Sequence, residues 1–368
     1  MQPDEKRVSN PTLNYVANAW FVAAWSHDLE KEKPFGTTIL NEPVVIWRTA
    51  AGTLHALQDR CVHRFAPLSL GRCEGERLRC MYHGLLFDHE GSVVEIPGQE
   101  LIPSSAKVRS FPVIERHSWI WVWMGDPALA DAQLIPPAVG LDDPDYILGH
   151  GQLDYAAAAR LINDNLLDFS HLSFVHAESF GSGPQFATSQ ANITPLERGI
   201  RYQRWIEGSS GTAARKNDEP VDSYMSYDFL IPGVLLMVGG NFPLGTAKQC
   251  EGGVPDLALA INGVTFTSQA VTPLTGNTAR YFFSWGPHRE HGDEAQRDML
   301  MGIAAKAFHE DKVMIEAQQR VIDITPVPQV MPTAHDRGVT LFNRLVDKMV
   351  RAERKAPEAE PAAESTNV

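Results

Sequence analysis

The sequence predicts an α+β protein of two domains, an N-terminal all-β unit followed by an antiparallel-sheet unit with helices at both ends. Three observations predict it. From Asn18 to about Asp126, short β-rich runs (EPVVIWRT, TLHALQD, SWIWVWMGD) alternate with Gly, Pro and Asp turn signals. A Pro/Asp-rich stretch, DPALADAQLIPPAVGLDDPD, then breaks the pattern. Beyond it, strand-like runs (SYMSYDFLI, VLLMVGG, LALAINGVTFTSQAVTP, ARYFFSWG) lie between a helical stretch at about Ala156 to Phe174 and a long helix over about Asp293 to Ile324.

These signals divide the chain into an N-terminal arm at 1–17, the all-β domain at 18–126, a linker at 127–145, the second domain at 146–354 and a tail at 355–368. The tail, KAPEAEPAAESTNV after Arg354, has nothing to bury and is expected to be disordered. Within SWIWVW, side chains alternate across the strand, so Trp119, Trp121 and Trp123 share one face and Ile120 and Val122 the other. Both faces are apolar, which predicts a strand buried on both sides.

A chain of 368 residues exceeds what one core usually covers, and 43% hydrophobic content is enough to build two. No stretch approaches the roughly 18 apolar residues of a membrane span, and MQPDEKRVSN has no apolar signal core. The expectation is a cytoplasmic protein that does not enter a membrane. A formal net charge of −13 argues against nucleic-acid binding, which needs clustered Lys and Arg, and suits a basic protein partner instead. Four cysteines (Cys61, Cys73, Cys80, Cys250) are too few for a disulfide scaffold.

Their spacing to histidine is informative. Cys61-Val62-His63 is followed, after sixteen intervening residues, by Cys80-Met81-Tyr82-His83, so each of two loops supplies one thiolate and one imidazole. That mixture suits a 2Fe–2S cluster in which two cysteines hold one iron and two histidines the other. Gly71, Gly75 and Gly84 and Pro67 permit the loops to converge. A tetrahedral zinc site uses the same ligand types, but structural zinc sites pair like ligands on each loop. Cys73 and Cys250 fall outside the pattern.

The run CVHRFAPLSLG…CMYHGLLFD resembles the Rieske domain of aromatic-ring and demethylating oxygenases, and the likeness extends from NAWFVAAW (Asn18 to Trp25) through the long C-terminal helix. The resemblance implies a helix-grip-like second domain holding a mononuclear Fe(II), with O2 as co-substrate.

The stretch NDNLLDFSHLSFVH carries candidates for that second site. Asp168 and His171 are three apart and would share a helix face. His176 lies five beyond His171, roughly 140° around an ideal helix, so both imidazoles reach one metal only if the helix ends or bends. Non-heme Fe(II) oxygenases add one carboxylate to two histidines. On the long helix, Leu300, Ile303, Ala304, Ala307, Met314, Ile315 and Ile322 form an apolar stripe, and Asp311 falls inside it, where a carboxylate needs a partner. Glu310 lies on the more polar neighbouring face.

The resemblance adds roles. The family pattern Asn-x-x-Asp-x-x-His-x4-His matches Asn165, Asp168, His171 and His176, and the distant aspartate ligand matches Asp311 in HEDKVMIEAQ. It implies that Asp168 bridges a cluster histidine of one subunit to an iron-ligating histidine of the next, which requires a ring, usually a homotrimer. It also implies that Asn165 sits beside the iron.

NAWFVAAW, RFAPLSLG and DPALAD resemble the branch that includes vanillate and dicamba O-demethylases. The implied reaction is oxidative O-demethylation or N-dealkylation of a small aromatic substrate, with ring dihydroxylation or C-hydroxylation as the neighbouring alternative. A Rieske electron carrier without oxygenase activity, or a zinc-dependent regulator, would lack the second site. The chain has no G-x-G-x-x-G fingerprint, so electrons are expected from a separate NAD(P)H-dependent reductase or ferredoxin. For the substrate pocket the strands offer Phe229, Leu235, Met237, Phe266 and Phe283 as apolar lining and Asn241, Gln269 and Trp285 as contacts. No basic residue on these strands is placed to take a carboxylate, so an amide or aryl ether stands beside a benzoate.

Overall fold

The computed structural model describes residues 14–180, 184–210, 219–327 and 330–355. The arm before residue 14 and the tail after residue 355 lie outside the described residues.

The first part of the chain contains β1 (Trp20–Trp25), β2 (Phe35–Ile39), β3 (Glu42–Arg48), β4 (Leu54–Gln58), β5 (Arg72–Glu74), β6 (Arg77–Arg79), β7 (Leu86–Phe87), β8 (Val93–Glu95), β9 (Val113–Arg116) and β10 (Trp119–Trp123). They form three small antiparallel sheets, β1-β10-β9, β2-β3-β4 and β5-β6-β7-β8. The β5-β6-β7-β8 meander carries one cysteine loop at its base.

The second part contains β11 (Gly149–Tyr155), α1 (Ala159–Leu166), α2 (Gln185–Thr188), β12 (Asn192–Leu196), β13 (Gly199–Ser209), β14 (Val221–Leu230), β15 (Val234–Phe242), α3 (Thr246–Gln249), β16 (Ile261–Pro273), β17 (Ala279–Pro287), α4 (Glu294–Ile324) and α5 (Arg337–Lys355). Its seven strands form one antiparallel sheet in the order β11-β17-β16-β15-β14-β13-β12. No described helix is long and apolar enough to cross a membrane.

The period of two decides what each sheet face does. On β15, β16 and β17 the even-numbered residues Val234, Leu236, Ala270 and Phe282 pack against Trp20, Trp25, Trp119, Trp121 and Trp123. The tryptophan face of β10 is therefore the joint between the two parts, while Ile120 and Val122 enter a core with Phe21, Val44 and Ile46. Each buried tryptophan removes on the order of 150–250 Å² from water, so this joint is a major source of stability. The Pro/Asp-rich connection is part of it. Asp126 and Asp131 cap two 3-10 turns, and Leu134, Ile135 and Ala138 pack on the tryptophans.

The odd-numbered residues of the same strands face α1 and α4. Asp293 caps α4 by accepting from Gln296 N at 2.8 Å. The buried stripe of α4 is Leu300, Ala304, Ala307, Phe308, Asp311, Ile315 and Gln319. It differs from the expected stripe at its edges: Met314 is 57% exposed and Ile303 and Ile322 are half-buried, because the contact line follows i, i+4, i+7 spacing through Phe308 and Gln319. Asp311 is on the line, as its position in the pattern required.

The helix expected over about Ala156 to Phe174 is two short helical pieces. The chain is extended to Tyr155, helical only over α1, and re-forms a 3-10 turn at Phe169–Ser173. Asp168 breaks it: its backbone is extended (φ −135°, ψ 98°) and its Oδ1 accepts from Ser170 N at 2.8 Å, capping the new turn. Asp168 and His171 therefore do not share a helix face. Tyr202 pins the break by donating its hydroxyl to Leu167 O at 2.5 Å. The lead-in to α1 is tied to α4, since Ala156 N donates to Glu316 Oε1 (2.9 Å) and the N-cap Ala158 N to Gln319 Oε1 (3.0 Å). These bonds set the spacing of the two helices that carry the site. The sequence reading also missed β11, β12, β13 and α5. The last packs Phe342 edge-on against Phe229 (4.8 Å), with Gly338 where any Cβ would collide with the Tyr202 hydroxyl.

Candidate metal centres and substrate cavity

The two Cys/His loops are built alike. Cys61 N donates to Ala66 O and Cys80 N to Leu85 O, both at 2.8 Å, while Phe65 N returns to Cys61 O and Gly84 N to Cys80 O, both at 3.0 Å. The fourth residue after each cysteine has positive φ, Phe65 at 59° and Gly84 at 78°. Equal turns project equal ligands: Cys61 and Cys80 are buried and unbridged, and the His63 and His83 rings are 4.5 Å apart. Arg79 braces the second loop by donating to Gly84 O (2.8 Å) and to Glu74 and Glu95. Burial raises the Cys61 thiol above its ordinary value, with the facing Cys80 adding to it. Two thiolates in that position need cationic partners, which fits iron.

His171, His176 and Asp311 converge from the 3-10 turn, the segment after it and α4. His176 Nε2 lies 3.1 Å and His171 Nε2 3.6 Å from Asp311 Oδ1. The opposite ring atoms are held: His171 Nδ1 lies 2.6 Å from Asp168 O, and His176 Nδ1 2.9 Å from Glu310 Oε2, which also accepts from Ser179 Oγ at 2.6 Å. A carbonyl and a carboxylate only accept, so each Nδ1 carries the hydrogen and each Nε2 presents its lone pair. Two lone pairs then face a carboxylate that is 6% exposed, an arrangement that is repulsive without a cation and matches the two-histidine, one-carboxylate iron site with it. Burial lowers the His171 imidazole. Burial acts the same way on His176, but Asp311 and Glu310 on its two sides outweigh it and raise that imidazole. Asn165 Nδ2 donates to Asp311 Oδ1 (3.0 Å) and lies 3.4 Å from His171 Nε2. A second trio, His288, Glu290 and His291, is half-buried to exposed and does not line the cavity.

The trio opens into a cavity of about 140 Å³ between α1, α4 and the sheet. Of the expected contacts, Asn241, Gln269 and Trp285 line it, as does Met237. Phe229, Leu235, Phe266 and Phe283 do not. Phe266 is on the tryptophan side of the sheet and rests on Tyr146. Phe229 and Phe283 face the helices but are covered by Phe342 and Phe308 at 4.8 Å, and Leu235 is fully buried in the same core. The walls are instead Phe169, Phe180, Phe186 and Tyr224, with Thr265 and Thr267 on β16.

Residues 19–112 match the Rieske 2Fe–2S domain family, and residues 155–352 match the vanillate O-demethylase oxygenase C-terminal domain family. The chain belongs to the Rieske oxygenases of the vanillate O-demethylase type. It is 36% identical to the iron-sulfur subunit of the toluene-4-sulfonate monooxygenase system of Comamonas testosteroni, covering 92% of this chain and 98% of that one. It is 33% identical to the oxygenase component of dicamba O-demethylase of Stenotrophomonas maltophilia (93% and 99% covered) and 30% identical to that of chloroacetanilide N-alkylformylase of Rhizorhabdus wittichii (92% and 97%). The crystal structure of dicamba monooxygenase bound to dicamba superposes with a TM-score of 0.81 at 32% identity, covering 92% and 99%.

This oxygenase subunit accordingly carries a Rieske cluster and a non-heme iron as its cofactors. Sequence reasoning undervalued Glu310, which it placed only on the more polar neighbouring face and which instead holds His176, and it missed Ser179 and the two threonines. Adjacency to Asp311 was the available signal for Glu310. The threonines gave none, because Thr at alternate positions is ordinary strand composition.

Proposed function

We propose that this subunit performs oxidative O-demethylation or N-dealkylation of a small aromatic substrate, using O2 and electrons from a separate NAD(P)H-dependent reductase or ferredoxin. The observation that carries this reading is the opening of the His171/His176/Asp311 trio into an aromatic-walled cavity. For a methoxyarene, substrate, O2, two electrons and two protons give the phenol, formaldehyde and water. When bound, the cluster passes electrons singly and the Fe(II) activates O2. Cys61 and Cys80 would hold one cluster iron and His63 and His83 the other, while His171, His176 and Asp311 would hold the mononuclear iron.

The protein's own contribution is orientation and exclusion of water. Asp168 O and Glu310 fix the two imidazole tautomers, Asn165 steers the Asp311 carboxylate, and Phe169, Phe180 and Phe186 keep the cavity apolar around the alkyl group. Among the described residues, the Asp168 carboxylate accepts the Ser170 N–H through Oδ1. Its second oxygen is the group we assign to bridging a cluster histidine of a neighbouring subunit in a homotrimer. We place the protein in the cytoplasm beside its reductase, with no nucleic-acid or membrane partner.

The test is product analysis with a Rieske-type reductase across methoxyarenes, N-alkyl amides and unsubstituted aromatics. Aldehyde release matched to O2 consumption is the expected result. Ring diols or ring hydroxylation without aldehyde would replace this reading with that of a ring oxygenase. Cluster reduction without O2 consumption would leave only an electron carrier.

A further inference from the structure

Thr265 is 6% exposed and lines the cavity, and its side chain makes a single hydrogen bond among the described residues, accepted from Trp285 Nε1 at 3.2 Å. An indole nitrogen only donates, so the Thr265 oxygen is the acceptor and its own hydrogen is directed elsewhere. Gly239 faces Thr265 across the β15–β16 pair and contributes no side chain. A Cβ built there would meet nothing closer than 3.5 Å, so the space in front of the hydroxyl belongs to the cavity. Two residues along the same face, Thr267 is bonded to the Gln269 amide at 3.1 Å, and Gln269 Oε1 in turn lies 2.7 Å from the Tyr281 hydroxyl. Gln269 is thus tied on both ends into the wall; Thr265 and Thr267 each accept one bond and keep a hydrogen to give, but Thr267 stands opposite the Met237 side chain while Thr265 stands opposite Gly239, in front of open cavity.

We propose that Thr265 is the substrate-orienting donor of this oxygenase and that its partner is the uncharged carbonyl oxygen of an aryl amide-type substrate. This rests on the dealkylation reading above and deepens it. The described lining holds no Lys or Arg, and both of its imidazoles point at Asp311. A divalent iron there is balanced by Asp311 and Glu310, so the site offers an anion no net positive charge. A carboxylate or sulfonate entering would lose its hydration without a cation to replace it, whereas a neutral carbonyl needs one hydrogen bond, which Thr265 supplies.

The experiment measures binding of meta-methoxybenzamide, meta-methoxybenzoate and meta-methoxytoluene to the oxygenase loaded with both metals, followed by aldehyde release with reductase. The benzamide is expected to bind at least about tenfold more tightly than the benzoate. Thr265→Val, which keeps shape and removes the hydroxyl, is expected to weaken benzamide about tenfold and leave methoxytoluene unchanged, with Thr265→Ser restoring the preference. Gly239→Ala, which fills the space without touching the hydroxyl, is expected to weaken benzamide alone. Tighter binding of the benzoate, or an equal loss for all three compounds in both variants, overturns the proposal. Aldehyde from the benzoate in preference to the benzamide would overturn it while leaving dealkylation standing. The predicted binding order without aldehyde from any compound would overturn dealkylation and leave the assignment of Thr265 intact.

Discussion

His176 and Glu310 are joined at 2.9 Å through Nδ1 and Oε2, and the same carboxylate oxygen accepts from Ser179. Two neighbours in sequence, Glu310 and Asp311, thus serve one imidazole from opposite edges, the first orienting the ring and the second facing its lone pair.

Removing each carboxylate should have a different result. Asp311→Ala is expected to lose the mononuclear iron and turnover while the Rieske absorption stays intact. Glu310→Gln keeps an acceptor for the ring hydrogen but removes its charge, and should weaken iron about 10- to 100-fold. Metal analysis after dialysis against a weak chelator separates the two, and unchanged iron in Asp311→Ala would rule that residue out as a ligand.

Iron affinity should depend on pH with a definite sign. In the metal-free protein His176 is raised above its ordinary value, with burial opposing and the two carboxylates prevailing. A proton there competes with iron, so apparent Fe(II) affinity should climb by up to about tenfold per pH unit and level off above the folded His176 value. The protonated ring stabilises the metal-free fold below the unfolded histidine pKa, and that contribution fades as pH rises through the folded one. Fe(II) titrations between about pH 6 and about pH 8.5 test this. A flat profile would place the competing proton elsewhere.

Asp168→Asn should preserve the fold, both metals and the oligomer, yet nearly stop turnover. Asn is as good a cap as Asp for the Phe169–Ser173 turn, so stability should change by only a few tenths of a kcal/mol. The cluster should still be reduced by the partner, with the block falling between reduction and product. Single-turnover kinetics on pre-reduced protein decide it, since product at the wild-type rate excludes a bridging carboxylate.

Cys61→Ser and His83→Ala should each abolish the visible Rieske spectrum, the first by removing a buried thiolate and the second an exposed imidazole. Retention of the wild-type spectrum in either variant contradicts the cluster assignment.

Chemistry that lies close together in the chain was readable from residues alone. The four cluster ligands fall within 23 residues, so their spacing pointed to a cluster, whereas His171 and His176 were only candidates by spacing and the roles of Asn165 and Asp168 came from the family resemblance. The tryptophan strand and Asp311 were readable from periodicity, because a misplaced carboxylate on an apolar stripe stands out against its helix. What only the tertiary structure decided depends on contacts between distant segments. The helix through the histidines broke at Asp168 because a short-range cap and the Tyr202 hydroxyl, 34 residues away in sequence from Asp168, together outweighed helix propensity. Glu310 became the brace of His176 because α4 packs against that turn. Phe229 and Phe283, facing the right way, were taken from the cavity by Phe342 and Phe308 on helices far along the chain. Strand alternation states which face a side chain occupies, but whether that face meets a cavity or a core is set by which helix covers it.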